Sequence, residues 1–241
     1  MSSSTDFTQR NHVLMSTRPE AQSFIAERLE TRAIAAGDML FDHGDPIHHA
    51  IFPQSGVISM LSHSEGGKSV EQVSIGNEGF LGFTYLMGGS SVPARAMVQV
   101  PGHASWLSIT HLDEAMQRFQ CVRAALLRYS KALIIQLMET IACNGLHSAE
   151  QRVASWLLLA DRRMQGHTFV LTQDGLGRAL GLRRATVSNI CSDLQRAAAI
   201  TYSRGHLSVT DRNRLRAHSC SCHDRIEAGM MIPGVQDNLL S

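Results

Sequence analysis

The sequence predicts an α+β chain with a β-rich N-terminal block, one long helix and a compact helical C-terminal block. Three observations support this. Five of the six prolines stand at or before Pro101 and the sixth is Pro233, so residues 102–232 contain none. From residue 110 onward the apolar side chains recur at helical rather than alternating spacing. The charge also divides. Residues 1–149 carry 10 Lys plus Arg against 13 Asp plus Glu, whereas residues 150–225 carry 12 arginines, no lysine and 6 acids. A basic block behind a mildly acidic one fits a polyanion-binding module joined to another domain, although a solvated, arginine-biased surface gives the same count.

The chain has 241 residues and a hydrophobic fraction of 44%, enough for two modest cores. No apolar run reaches the roughly 18–20 residues of a membrane span, which argues against a membrane partner. The opening MSSSTDFTQRNHVL lacks an apolar signal segment, so residues 1–20 read as a flexible polar leader and the expected compartment is the cytoplasm. The five cysteines, an odd number, suit a reducing compartment better than a disulfide framework.

Residues 21–109 form the β block. Short strand-like runs (MLFDHG, HHAIFPQ, GVISMLSH, SVEQVSI, ARAMVQV, HASWLSI) alternate with Gly, Pro, Asp and Asn, the pattern of a small sandwich or barrel. SEGGKS at 64–69 reads as a hairpin turn and DHGDP at 42–46 as a second turn.

Residues 110–145 read as one long helix. Leu112, Phe119, Leu126, Leu133 and Thr140 recur every seven residues, with Ala115, Val122, Tyr129, Gln136 and Cys143 as a second seam, so the pattern has polar members near its end. A further apolar row, including Leu127, Ile134, Ile135, Met138 and Ile141, runs beside them. A helix with two apolar faces must bury both, one on its own β domain and one on a partner chain. Phe119, Val122, Leu126, Tyr129 and Leu133 are the residues expected at a homodimer interface. The competing arrangement wraps the whole helix inside a monomer core.

Gly145 ends that pattern, and Ser148 with Gln151 forms a capping-box start for the next helix, so 145–148 is a candidate hinge. The C-terminal domain is expected over 146–225 and a loosely ordered tail over 226–241. Within the domain, LTQDGLGRALGLRRATVSNICSDLQ (171–195) reads as two short helices turning at Gly181. Gly177 is small enough for the helices to cross, and Leu176, Leu180, Leu182, Val187 and Ile190 fill inward positions, as a helix-turn-helix requires. The outward face of the second helix carries Arg184, Ala185, Ser188 and Asn189 near its N-terminus, the part that reaches base edges. An arginine fork matches guanine O6 and N7, asparagine matches adenine N6 and N7, and alanine meets a thymine methyl. Thr172, Gln173, Thr186 and Ser188 are candidate phosphate contacts, and Arg183 is a further candidate DNA contact. AAITYSRGHLSVTD then reads as a β-wing with Arg204 at its tip.

This order of elements resembles the Crp–Fnr superfamily of bacterial transcription regulators, over roughly residues 20–220. The segment 171–195 is similar to the family pattern T-x-x-x-[IL]-[AG]-x-x-x-G-x-[ST]-R-x-T-[VI]-S-R-x-[LI], with Arg184, Thr186, Val187 and Ser188 matching. Ala185 stands where glutamate is frequent and Asn189 where arginine is frequent. FDHGDPIHHAIFPQSGVI resembles the β-roll signature. The resemblance implies a jelly-roll-like β-roll, a dimerisation helix and a winged helix-turn-helix. It implies a homodimer on double-stranded DNA, with Arg184 reading a base, Thr186 and Ser188 holding the backbone, and RNA polymerase as a further partner. It also directs attention to Gly82, Phe83, Arg95 and Ala96 as the effector pocket. Cyclic-nucleotide members carry a glutamate where Phe83 stands, and Arg95 precedes Ala96 without the usual Ser or Thr between them. These departures argue against cAMP. No cysteine precedes Cys121, which argues against an N-terminal Fe–S cluster, so no cofactor is assigned and the effector stays unnamed.

HSCSCH at 218–223 offers two thiols and two imidazoles in six residues, but lacks the usual two-residue spacer. It reads as structural or accidental, with a metal or redox site as the alternative, and no metal is assigned. There is no nucleophile elbow and no Walker loop, so no catalytic residue is assigned. The alternative function is a small-ligand sensor whose helical C-terminal domain binds a protein. An enzyme with an appended roll is a second alternative.

Overall fold

The computed structural model describes residues 10–230. Two short helices, α1 (His12–Met15) and α2 (Pro19–Ala26), precede the strands. Strands β1 (Glu30–Ile34), β3 (His49–Pro53) and β7 (Gly102–Ser108) form an antiparallel sheet in the order β1-β7-β3. Strands β2 (Met39–Phe41), β4 (Val57–His63), β5 (Ser69–Ile75) and β6 (Arg95–Val100) form a second antiparallel sheet in the order β2-β6-β4-β5. Ile51, Phe52 and Leu107 from the first sheet and Ile58, Val73 and Val98 from the second share one core, giving a jelly-roll-like β-roll.

Residues 10–20 are not a loose leader. Asn11 is fully buried, its side chain donating to Pro53 O at 2.9 Å and Gly79 O at 2.8 Å while it caps α1. Val13 and Leu14 enter the core, which fixes the segment in place. Residues 1–9 lie outside the described range.

The long helix is two helices, α3 (Ile109–Arg118) and α4 (Gln120–Leu146), broken where Phe119 takes extended backbone angles. The seam expected at a partner chain is turned inward. Val122, Leu126, Tyr129 and Leu133 are buried in the β-roll core, and Phe119 packs edge-on against Phe24. Tyr129 packs against Phe80, and its ring lies so close to Gly79 that a Cβ there would sit 2.2 Å away. The heptad fills the open face of the chain's own sandwich, where Val122, Leu126, Tyr129 and Leu133 join the core of the two sheets. The neighbouring row stays in solvent: Leu127, Ile134, Met138 and Ile141 are 49%, 49%, 65% and 74% exposed.

Past the hinge, α5 (Ala149–Arg163) begins with the expected capping box, Ser148 and Gln151 bonding each other's backbone N–H. Then follow β8 (Phe169–Val170), α6 (Gln173–Leu180), α7 (Arg184–Arg196), β9 (Ile200–Ser203), β10 (His206–Val209), α8 (Arg212–Ala217) and α9 (Cys222–Met230). The three strands pair in the order β8-β10-β9. The expected loose tail begins inside α9, where Ile226 and Met230 pack with Ala132 and Leu159. Residues 231–241 lie outside the described range.

Candidate nucleic-acid interface

Three backbone features shape the corner between α6 and α7. The Thr172 hydroxyl accepts the Gly175 N–H at 3.0 Å and starts α6. Gly181 ends it in the left-handed conformation, φ 64°, which glycine adopts without steric cost. Gly177 lies where the two helices cross: a Cβ there would stand 2.9 Å from Leu182 O, while Leu182 N–H donates to Gly177 O at 2.8 Å. Leu176, Leu180, Val187, Ile190, Cys191 and Leu194 form the inward faces with α5 residues such as Leu157.

That packing decides which residues of α7 face out. Arg183, Arg184, Ala185 and Asn189 are exposed, and Thr186 and Ser188 are half-buried. Thr172 is exposed and Gln173 half-buried at the start of α6. At the wing tip Arg204 and Gly205 both have positive φ, 50° and 81°, the sense of a primed two-residue hairpin, and Arg204 is exposed. The Arg184 charge also reaches Tyr202 of β9, where burial raises the phenol pKa and Arg184 offsets part of the rise.

The basic block becomes more specific in three dimensions. Nine of its twelve arginines are already engaged within the chain. Arg152 reaches Leu180 O and Arg163 pairs with Glu78. Arg178 pairs with Asp174, Arg196 with Asp193, Arg214 with Asp211, Arg216 with Asp224 and Arg225 with Glu139. Arg162 approaches Glu227, and Arg212 approaches both Asp161 and Glu227. Among the described residues, Arg183, Arg184 and Arg204 alone of the twelve have no side-chain hydrogen bond or ion pair.

A buried polar seam, invisible in the sequence pattern, sets the helix-turn-helix against the β-roll. Ser69 Oγ of β5 donates to Arg178 O of α6 at 3.0 Å. Trp156 Nε1 of α5 lies 3.2 Å from both Glu71 oxygens, and Arg163 reaches Ser74 Oγ at 2.8 Å and Ser74 O at 2.9 Å. Burial pushes the Glu71 carboxyl above the ordinary range, only partly offset by Ser59, Trp156 and Arg163. Burial acts the same way on Glu78, but the Arg163 charge and hydrogen bonds outweigh it and hold that carboxyl low.

The four residues expected to form an effector pocket are divided between the core and the partly exposed surface of the β-roll. Gly82 starts a short 3₁₀ helix (Phe83–Met87) with φ 95°. Phe83 and Ala96 are buried in the core. Arg95 forks onto Asp42, with Nε and Nη2 each 3.0 Å from a carboxylate oxygen.

Comparison with known proteins agrees with this architecture. Residues 31–119 match the cyclic nucleotide-binding domain family and residues 151–218 the Crp-like helix-turn-helix domain family. The chain is 24% identical over 208 residues to the anaerobic regulatory protein of Pasteurella multocida, covering 83% of this chain and 75% of that one. Its fold is similar to FixK2 from Bradyrhizobium japonicum, with TM-score 0.67 and 18% identity over 80% of this chain and 98% of that chain. A CRP-family transcriptional regulator from Thermus thermophilus superposes with TM-score 0.63 and 15% identity, covering 78% of this chain and 96% of that chain. With a cyclic-nucleotide-binding-type roll, a Crp-like helix-turn-helix and this order of elements, the chain belongs to the Crp–Fnr family of transcription regulators.

Proposed function

We propose that this regulator acts as a cytoplasmic homodimer on a near-palindromic operator, with α7 of each copy in one major groove. Arg184, Ala185 and Asn189 read base edges. Thr172, Gln173, Arg183, Thr186, Ser188 and Arg204 contact the backbone. The observation that carries this reading is the trio of unpaired, exposed arginines at the start of α7 and the tip of the wing, in a domain whose other arginines are all engaged. The second copy covers the exposed row Leu127, Ile134, Met138 and Ile141, so the dimer surface lies one residue along the helix from the heptad seam. The reading assigns transcription control and no catalysis, with RNA polymerase as a second protein contact.

The signal acts through the β-roll and is not cAMP. Support comes from Arg95, whose guanidinium is held by Asp42, and from Phe83 in the core where the ribose-binding carboxylate of cyclic-nucleotide members stands. A groove lined by Tyr85, Ser90, Asp113, Met116 and Arg123, between the 3₁₀ helix and α3–α4, is the place we assign to it.

Selection from a random duplex pool with the full-length chain, followed by footprinting, tests the proposal. The expected product is two inverted half-sites about 10 base pairs apart, centre to centre. Enrichment of no sequence, or of an asymmetric single site, contradicts it.

A further inference from the structure

We propose that Cys143, His147, Cys220 and Cys222 bind one thiophilic divalent metal ion of the zinc class, which fastens α9 to the end of α4 beside the hinge. Cys143 lies in the last turn of α4, and His147, the extended residue that caps the helix, donates its N–H to Cys143 O at 3.2 Å, which holds the two residues together. Cys220 precedes α9 and Cys222 is its first residue. The fold brings these two distant pairs together, and one donor atom from each of the four residues lies within 4.8 Å of the others.

The spacing suits a single ion. Cys143 Sγ and Cys220 Sγ are 3.5 Å apart, and Cys222 Sγ lies 3.5 Å from His147 Nδ1. A tetrahedron with Zn–S of about 2.3 Å and Zn–N of about 2.0–2.1 Å has edges of roughly 3.8 Å between sulfurs and roughly 3.6 Å between sulfur and nitrogen. A disulfide needs sulfurs at about 2.05 Å, so the two thiols are in contact but not bonded. Four protein ligands leave no open coordination position, the pattern of a structural rather than a catalytic metal.

The surroundings fit the charge of such a site. Three thiolates and one divalent cation sum to −1. Arg225 Nη2 donates to Cys222 Sγ at 3.4 Å, and Ser155 Oγ lies 3.2 Å from Cys220 Sγ. The two imidazoles of HSCSCH are engaged elsewhere, His218 with Glu150 at 2.6 Å and His223 with Cys220 O at 2.7 Å. The site is therefore not a local Cys-x-Cys-His knuckle, and its other half comes from the end of α4. α9 already rests on a small apolar cluster of Ala132, Leu159, Ile226 and Met230 and on the Arg225–Glu139 and Arg162–Glu227 ion pairs, and the metal would add a further tie to the end of α4.

The test uses the full-length chain, purified without a metal-affinity tag or chelator, with metal content read by mass spectrometry. The expected result is one zinc per chain. After chelation, added Co2+ gives thiolate-to-cobalt charge transfer and ligand-field bands of tetrahedral intensity. Cys143→Ser and Cys222→Ser lose the metal, while Cys121→Ser and Cys191→Ser keep it. The cobalt spectrum of the unsubstituted chain reads the site even where a variant misfolds, and no readout depends on DNA. Absence of stoichiometric zinc together with a featureless Co2+ titration overturns the proposal. So does a Cys143–Cys220 disulfide in the isolated protein, or iron in place of zinc.

Discussion

Arg163 and Glu78 join the two domains through a nearly dry ion pair. Arg163 Nη2 lies 2.8 Å and Nε 3.1 Å from Glu78 Oε1, with the side chains only 3% and 7% exposed. Removing one partner leaves the other charge buried and unpaired. Arg163→Ala should therefore cost about 3–5 kcal/mol of stability. The double variant Arg163→Met, Glu78→Gln should recover a large part of that loss. Urea unfolding of the three proteins checks both statements.

The same seam predicts two opposite pH dependences. Burial, the largest influence on Glu71, favours its protonated form and raises its pKa. Its contribution to stability is complete below the unfolded-state pKa and is lost as pH rises through the folded-state value. Glu78 is also opposed by burial, but Arg163 outweighs it and lowers its pKa. Its contribution is present above the unfolded-state pKa and is lost as pH falls through the folded-state value. Glu71→Gln should flatten the decline above the ordinary glutamate range and Glu78→Gln the decline below it. Urea midpoints measured across pH decide this, and an unchanged profile in Glu71→Gln contradicts the assignment.

The two apolar rows of α4 should respond differently to substitution. Leu133→Ala empties a position in the β-roll core and should cost about 2–5 kcal/mol while leaving association intact. Ile134→Glu with Ile141→Glu should leave the fold stable and convert a dimer to a monomer. Sedimentation equilibrium beside thermal unfolding separates these outcomes.

The corner of the helix-turn-helix should tolerate little. A Cβ at Gly177 would meet the Leu182 carbonyl oxygen, backbone that cannot step aside cheaply. Gly181→Ala forces a left-handed alanine at about 1–2 kcal/mol. Gly177→Val should therefore lower the unfolding temperature more than Gly181→Ala, and should weaken DNA binding with it.

The sequence carried its clearest information where local chemistry decides the outcome. Ser148 with Gln151, Gly177 and Gly181 each act within a few residues, and the cap and turn stand in the structure, whereas Thr172, read only as a phosphate contact, also caps α6. Which row of α4 faces the sandwich depends on a sheet about 50 residues upstream, and a seven-residue period alone cannot tell Leu126 from Leu127. The Glu71–Trp156 and Glu78–Arg163 contacts each span 85 positions, and Cys143 with Cys220 spans 77. Such pairs leave no periodic trace. The basic composition of residues 150–225 showed that an anion partner was plausible. Only the pairing of nine arginines singled out Arg183, Arg184 and Arg204.

The central claim is that the exposed face of α7 reads base pairs, and the most direct measurement is the affinity of Arg184→Ala for the selected operator and for every single-base variant of it, beside Arg204→Ala at several salt concentrations. The account predicts that Arg184→Ala loses about 1–3 kcal/mol and relaxes preference at one position of each half-site. Arg204→Ala should weaken all sequences alike and make the salt dependence shallower. Unchanged base preference in Arg184→Ala, with operator affinity retained, would contradict the account.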